Sequence, residues 1–179
     1  GGQYLIRHLL PAQDYKIMKI IVLSDPHIPA RAKDIPEEVY AQIKGADLLI
    51  HAGDITSLEF FKKLSKLKKE IKAVRGNMDE PALKDILPVK QLIKIAGFSI
   101  GIIHGWGSPF GLIEAAEKEF QKEKPNMIIF GHSHKPFNEH RGKTLFFNPG
   151  SPTDKIFSPI NSYGIITING KIEAKIVNV

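Results

Sequence analysis

Seven side chains in this 179-residue chain suit metal coordination: Asp25, His27, Asp54, Asn77, His104, His132 and His134. They occur in short groups, Asp25-Pro26-His27, Gly53-Asp54, Gly76-Asn77, His104-Gly105 and Gly131-His132-Ser133-His134. Together they offer two carboxylates, four imidazoles and one amide oxygen. With one donor shared and water completing the shells, that set serves two ions. A carboxylate is the usual shared ligand, and Asp54 sits midway in the series. Imidazoles mixed with carboxylates favour manganese, iron, nickel, cobalt or zinc over calcium. Cysteine is absent, which excludes disulfides and thiolate metal sites.

The charge balance indicates what such a centre would act on. Two divalent ions outweigh two aspartates and a hydroxide, so the site stays cationic and attracts phosphate. Two metals roughly 3.5–4 Å apart can generate hydroxide and clamp phosphoryl oxygens during in-line attack.

Each group is weak evidence alone. An Asp after a strand is often a turn former, and Gly-Asn is often a left-handed turn. The weight lies in their joint recurrence at strand ends, where ligands of α/β sheets gather. Buried strands are expected at Lys19 to Ser24, Asp47 to His51, Ile71 to Arg75 and Met127 to Phe130, from short β-branched runs that end in polar turns. A hairpin is expected from Leu92–Ile95 and Phe98–Ile103 around Ala96-Gly97. Three strands follow, at Thr144 to Phe147, Tyr163 to Ile168 and Lys171 to Val177, the last two turning at Asn169-Gly170.

Helices are expected between the early strands. Asp34 can cap one from about Ile35 to Lys44, with Glu37 completing a capping box and Gly45 as the stop. Ser57 can cap a second, whose apolar Phe60, Leu64 and Leu67 keep a helical period. Ser108-Pro109 reads as a cap and first turn of a third, running to about Lys122. Alternating β and α, then a β-rich half, predicts an α/β fold: a two-sheet sandwich flanked by helices, with the metal groups at one sheet edge.

Hydrophobic residues make up 42% of the chain and charged residues 25%, with enough length for one sizeable core. No apolar run approaches the roughly 20 residues of a membrane span. The net charge is +6, but the lysines are dispersed. The densest group, Lys62, Lys63, Lys66, Lys68 and Lys69, reads as the solvated face of the second helix. Aromatics are 8% and mostly at core-patterned positions, so a nucleic-acid partner is not expected. Met18 directly precedes the first strand. Residues 1–17, including His8, are therefore expected to be a tag, leader or N-terminal extension, and 18–179 a single domain. The absence of an export signal gives a cytoplasmic location as the expectation.

The ordered series D-P-H, G-D, G-N-M-D, H-G and G-H-S-H, followed by N-P-G-S, resembles the calcineurin-like metallophosphoesterases, closest to the small single-domain phosphodiesterases of bacteria and archaea. The likeness runs from Met18 to about Val179. It implies a binuclear centre on a helix-flanked β-sandwich, a metallophosphoesterase-like four-layer fold. By motif, Asp25, His27 and His134 would hold the first ion, Asn77, His104 and His132 the second, and Asp54 would bridge them. Manganese is the expected metal, with nickel, iron, cobalt or zinc as alternatives. Asn77 and His104 would also orient the phosphate. Asn148 to Ser151 would lie near the site without being a ligand. The implied activity is hydrolysis of a small phosphodiester by a metal-bridging hydroxide, and small family members often form homo-oligomers.

One departure matters. Many superfamily members read G-N-H-D, and that histidine assists the leaving group. Here the position is Met78, which carries no transferable proton, so good leaving groups should be favoured. Asp79 is expected either to support its loop or to form a turn before Glu80-Pro81. His51 is expected in the core or behind the ligands, His140 and Arg75 at the surface, and Trp106 in a core gap or walling the site. The competing function is a protein-interaction scaffold, because a retromer coat subunit that shares this fold, and whose metal site is degraded, uses the fold to bind partner proteins. The full ligand set argues against that role alone.

Overall fold

Residues 17–68 and 70–179 are described by a computed structural model. His8, the rest of residues 1–16, and Lys69 lie outside the described residues.

The early strands are continuous apolar runs because both their faces are covered. β1 (Met18–Leu23), β2 (Leu48–His51) and β3 (Ile71–Ala73) pair in parallel. They alternate with α1 (Glu37–Lys44) and α2 (Leu58–Leu67). α3 (Pro81–Ile86) then leads to the hairpin of β4 (Lys90–Ile95) and β5 (Phe98–Ile103). α4 (Leu112–Glu119), β6 (Met127–Ile129), β7 (Phe137–Arg141), β8 (Thr144–Asn148), β9 (Ser162–Ile168) and β10 (Ile172–Asn178) complete the chain.

The strands form two sheets of five, ordered β10-β9-β1-β2-β3 and β4-β5-β6-β8-β7. Ile20, Val22, Leu48 and Ile50 face the second sheet and pack with Ile100, Ile102, Met127, Ile129 and Phe147. Their neighbours Ile21, Leu23 and Leu49 face the opposite way, against Val39, Ile43, Phe60 and Leu64 of α1 and α2. Ile103, Ile128 and Phe146 bury the other face of the second sheet against Leu112, Ala116 and Phe120 at α4. The result is the expected helix-flanked sandwich. Each fully buried Ile, Leu or Phe contributes about 1.5–3 kcal/mol of burial.

Ser57 caps α2 as expected, its hydroxyl accepting from Phe60 N at 3.1 Å. Lys62, Lys63 and Lys66 are exposed there, while Phe60 and Leu64 are buried.

Other expectations are corrected. Asp34 does not cap α1, which starts after Pro36 without a side-chain cap. Proline disfavours helical geometry at Ile35. The Asp34 carboxylate instead accepts from Ile35 N, from the Tyr40 hydroxyl and from the Lys63 ammonium. Ser108-Pro109 does not open α4, which begins at Leu112 behind Gly111 in left-handed geometry (φ 88°). Ser108 Oγ accepts from Phe110 N within the preceding loop. α3 and β7 were not anticipated. β7 is an exposed edge strand carrying Asn138, Glu139 and His140, without apolar alternation, and antiparallel pairing with β8 defines it. Finally, β9 and β10 join β1 in the first sheet rather than extending the second.

Candidate metal centre

The seven expected side chains converge, but not at the edge of one sheet. Asp25, Asp54 and Asn77 follow β1, β2 and β3 of the first sheet, whereas His104 and His132 follow β5 and β6 of the second. The centre sits where the carboxyl ends of both sheets meet. An isolated parallel bridge between Ile28 and Thr56 joins the loops that follow β1 and β2.

Five of the seven residues have positive φ: Asp25 (56°), His27 (48°), Asp54 (53°), His132 (67°) and His134 (58°). Asp, Asn and His tolerate this region best among side-chain-bearing residues. Such backbone persists only where its surroundings impose it, at a cost of order 1–3 kcal/mol each.

Both aspartates show the same division of labour. In Asp25, Oδ2 accepts from Ser24 Oγ at 2.5 Å and from His132 N at 2.9 Å. Its Oδ1 is buried without a hydrogen-bond partner. That oxygen faces Nε2 of His134 at 3.4 Å, of His104 at 3.9 Å and of His27 at 4.0 Å. In Asp54, Oδ1 accepts from Met78 N at 2.7 Å. Its Oδ2 faces Nε2 of His104 at 3.3 Å and of His27 at 3.6 Å. One oxygen is tethered and the other is aimed.

The histidines are arranged alike. Hydrogen-bond partners assign the tautomers. His134 donates Nδ1–H to Asp154 Oδ2 at 2.7 Å, so its Nε2 carries a lone pair 3.2 Å from His27 Nε2. His132 donates Nε2–H to Gly107 O at 2.9 Å, so its Nδ1 lone pair meets Asn77 Oδ1 at 3.0 Å. His104 donates Nδ1–H to Ala52 O at 2.7 Å and turns Nε2 to Asn77 Oδ1 at 3.1 Å. The His132 Nδ1 lone pair thus faces the Asn77 Oδ1 acceptor, which is unfavourable unless a positive charge lies between the two. The residues present therefore fit metal ions. Asp25, His27 and His134 bring donor atoms within 4.8 Å of one another, as do Asp25, Asp54 and His104.

The electrostatics agree. Burial alone would strip charge from His104, but the Asp25 and Asp54 carboxylates outweigh it and lift its pKa to about 9. Burial lowers the pKa of His27, against the pull of Asp54 and Asp25. Burial would raise that of Asp54, yet hydrogen bonding and charge from His104, with the Met78 amide, bring it below the usual carboxylate value. The centre wants positive charge at the point where these groups converge.

The remaining sequence readings find their places. Asp79 accepts from Thr56 N through Oδ1 and from Gly76 N through Oδ2, both at 2.7 Å. It locks its loop rather than merely turning the chain. His51 is fully buried and neither ring nitrogen has a partner, a core position. His140 is exposed on β7. Arg75 donates to Lys84 O at 2.8 Å and is half-buried rather than free at the surface. Met78 is 56% exposed, so its backbone holds Asp54 while its side chain faces solvent. Trp106 is 49% exposed and fills no core gap.

The Asn148–Ser151 turn braces the centre. Asn148 Nδ2 donates to Gly131 O at 2.9 Å, and Ser151 Oγ donates to Asp25 O at 2.7 Å. Sequence reasoning missed Asp154, three residues further on. Its carboxylate holds His134 and Arg31 and accepts from the Ile156 and Phe157 amides. Its one sequence signal is a polar Thr153-Asp154 step, one residue beyond that turn.

The calcineurin-like phosphoesterase superfamily domain matches residues 18–171. A probable metallophosphoesterase of Methanothermobacter thermautotrophicus is 35% identical over 162 residues, covering 89% of this chain and 92% of the relative. Among solved structures, a Thermotoga maritima protein matches at 32% identity and TM-score 0.73, covering 90% of this chain and 99% of that one. An archaeal phosphodiesterase matches at 26% identity and TM-score 0.70, covering 90% and 100%. No helix among the described residues is long and apolar enough to cross a membrane. With its helix-flanked sandwich, its convergent His-Asp donors and a domain match spanning most of its length, the chain belongs to the calcineurin-like phosphoesterase superfamily.

Proposed function

We propose that this chain is a phosphodiesterase whose centre holds two divalent metal ions, manganese first among the candidates, with nickel, iron, cobalt and zinc also suited to its imidazole and carboxylate donors. Asp25, His27 and His134 would hold one ion, and Asn77, His104 and His132 the other. Asp54 would be shared, because its free oxygen faces both His27 and His104. Such a pair supplies Lewis acidity toward phosphoryl oxygen and a nucleophile at neutral pH.

The single observation that carries the reading is the partnerless Asp25 Oδ1, buried among three imidazole nitrogens. The chain's own contribution is preorganisation. Second partners fix four of the seven donors: Asp154 for His134, Gly107 O for His132, Ala52 O for His104 and Met78 N for Asp54. Their reorganisation is completed at folding, not during reaction.

An activated diester is favoured over an alkyl monoester because the position that carries the leaving-group histidine in many superfamily members is Met78 here, so the leaving group must depart with help from water or none. The likeness to an archaeal phosphodiesterase supports the same choice.

The test is hydrolysis of bis(p-nitrophenyl) phosphate beside p-nitrophenyl phosphate. Metal-stripped protein would receive manganese, nickel, zinc or magnesium, with Asp54→Ala as control. Faster, metal-dependent cleavage of the diester, lost in Asp54→Ala, is expected. Folded protein that turns over neither ester with any metal would abandon this reading for the scaffold role.

A further inference from the structure

The chain's only tryptophan, Trp106, stands beside the metal centre and is 49% exposed. It belongs to the loop between β5 and α4, where Gly105 (φ 94°) and Gly107 (φ 81°) flank it in left-handed geometry. The loop is anchored to the centre, since Gly107 O accepts from His132 Nε2 at 2.9 Å. Trp106 borders a recess of about 230 Å³ that Arg75, Val89, Ile103, Asn77 and His104 also line. Two residues of the centre therefore share the recess with the Trp106, Val89 and Ile103 side chains and with Arg75.

We infer that this recess is a subsite for a planar aromatic ester group, a nucleobase or aryl ring, on a phosphate held at Asn77 and His104. This inference rests on the phosphodiesterase reading of the centre. A large aromatic surface left half in water is informative when it lines a cavity rather than standing alone. Trp106 offers a π-face to any flat ring, and Arg75 adds a cation for the acceptor atoms that nucleobases and nitroaryl groups carry. The volume sets the size of the guest. It is below the roughly 300 Å³ at which pockets for drug-sized ligands begin, so it takes a single ring system. Val89 and Ile103 give the ring apolar contact without hydrogen-bonding groups of their own, so the subsite selects for flatness more than for one base.

Two measurements test this. In the first, Trp106→Ala and Trp106→Phe are assayed on bis(p-nitrophenyl) phosphate and on methyl p-nitrophenyl phosphate, which share a leaving group and differ in the retained ester. Trp106→Ala is expected to lower kcat/KM about tenfold for the diaryl ester, mostly through KM. It should leave the methyl ester nearly unchanged, and Trp106→Phe should recover most of the loss. In the second, the fluorescence of manganese-supplemented wild-type protein, excited beyond the absorption of its four tyrosines so that it reports on Trp106, is followed during titration with adenosine 5′-monophosphate or ribose 5-phosphate. Saturable quenching by the nucleotide but not the sugar phosphate is expected. Equal losses on both diesters, or equal responses to both monophosphates, would overturn the subsite and leave the phosphodiesterase reading intact. Selective quenching in protein that hydrolyses neither diester would uphold the subsite while removing the activity.

Discussion

The Asp154 carboxylate accepts the Nδ1 proton of His134 at 2.7 Å, and its other oxygen accepts from Arg31 Nη1 at 3.0 Å. This pairing fixes the ring so that Nε2 faces Asp25. Partners of this kind are worth roughly 10–100-fold in metal affinity. Asp154→Asn should therefore weaken manganese binding by about that factor, read by calorimetric titration, with the far-ultraviolet spectrum unchanged. Undiminished affinity would mean that packing alone orients His134. Phe157, edge-on to that ring at 5.5 Å between centroids, is the neighbour that could supply it.

Metal should stabilise the folded chain. A ligand at 100 times its Kd adds about 2.7 kcal/mol to a protein that binds it only when folded. For a domain of this size that corresponds to a rise in Tm of roughly 5–10 °C. Chelated protein given manganese should show this rise, and Asp54→Ala should not. An equal rise in the variant would place the ions elsewhere.

Gly76 has no room for a side chain. A Cβ there would lie 2.0 Å from Asp54 Oδ1 and 2.2 Å from Asp54 N. Gly76→Ala should cost about 1–3 kcal/mol in urea unfolding, as overpacking does, and should displace the carboxylate that faces His27 and His104. Gly45→Ala is the control, since its Cβ would meet nothing closer than 3.8 Å. A Gly76→Ala protein with wild-type stability and manganese affinity would contradict the packing described.

His51 should make the protein acid-sensitive. Burial holds its pKa near 3, with His104 adding to the effect. In the unfolded chain it titrates near 6.5. Above that pH neither state carries its proton, so His51 costs nothing through titration. As pH falls from about 6.5 towards 3, the unfolded chain takes up a proton that the folded one refuses. Stability then drops by up to about 1.4 kcal/mol per pH unit. His51→Leu should flatten that part of the stability-versus-pH curve, measured by urea unfolding of chelated protein. Parallel curves for the two proteins would show that His51 finds a proton acceptor in the fold.

Much of the site could be read from residue types alone, because Asp, Asn and His beside glycine at strand ends mark places where the backbone turns and donors gather. What could not be read is which sheet each group belongs to. His104 and His132 follow strands as apolar as those before Asp25 and Asp54, and periodicity does not say which strands are neighbours. β7 escaped notice for the opposite reason: an edge strand open to solvent has no apolar face to betray it. Asp154 was missed because its partner, His134, lies 20 residues away and the contact exists only after folding.

The strand order also dictates when the centre can come into being. β1, which carries Asp25 at its end, is flanked on one side by β2 and on the other by β9, from nearly opposite ends of the described chain. The loop that braces Asp25 and orients His134 lies just before β9. A chain still emerging from synthesis would hold Asp25, Asp54 and His104 long before residues 151–154 arrive to set them. The frame of the centre is thus among the last parts the growing polypeptide acquires, and a product ending before residue 151 would have all seven donors without the loop that braces Asp25 and orients His134.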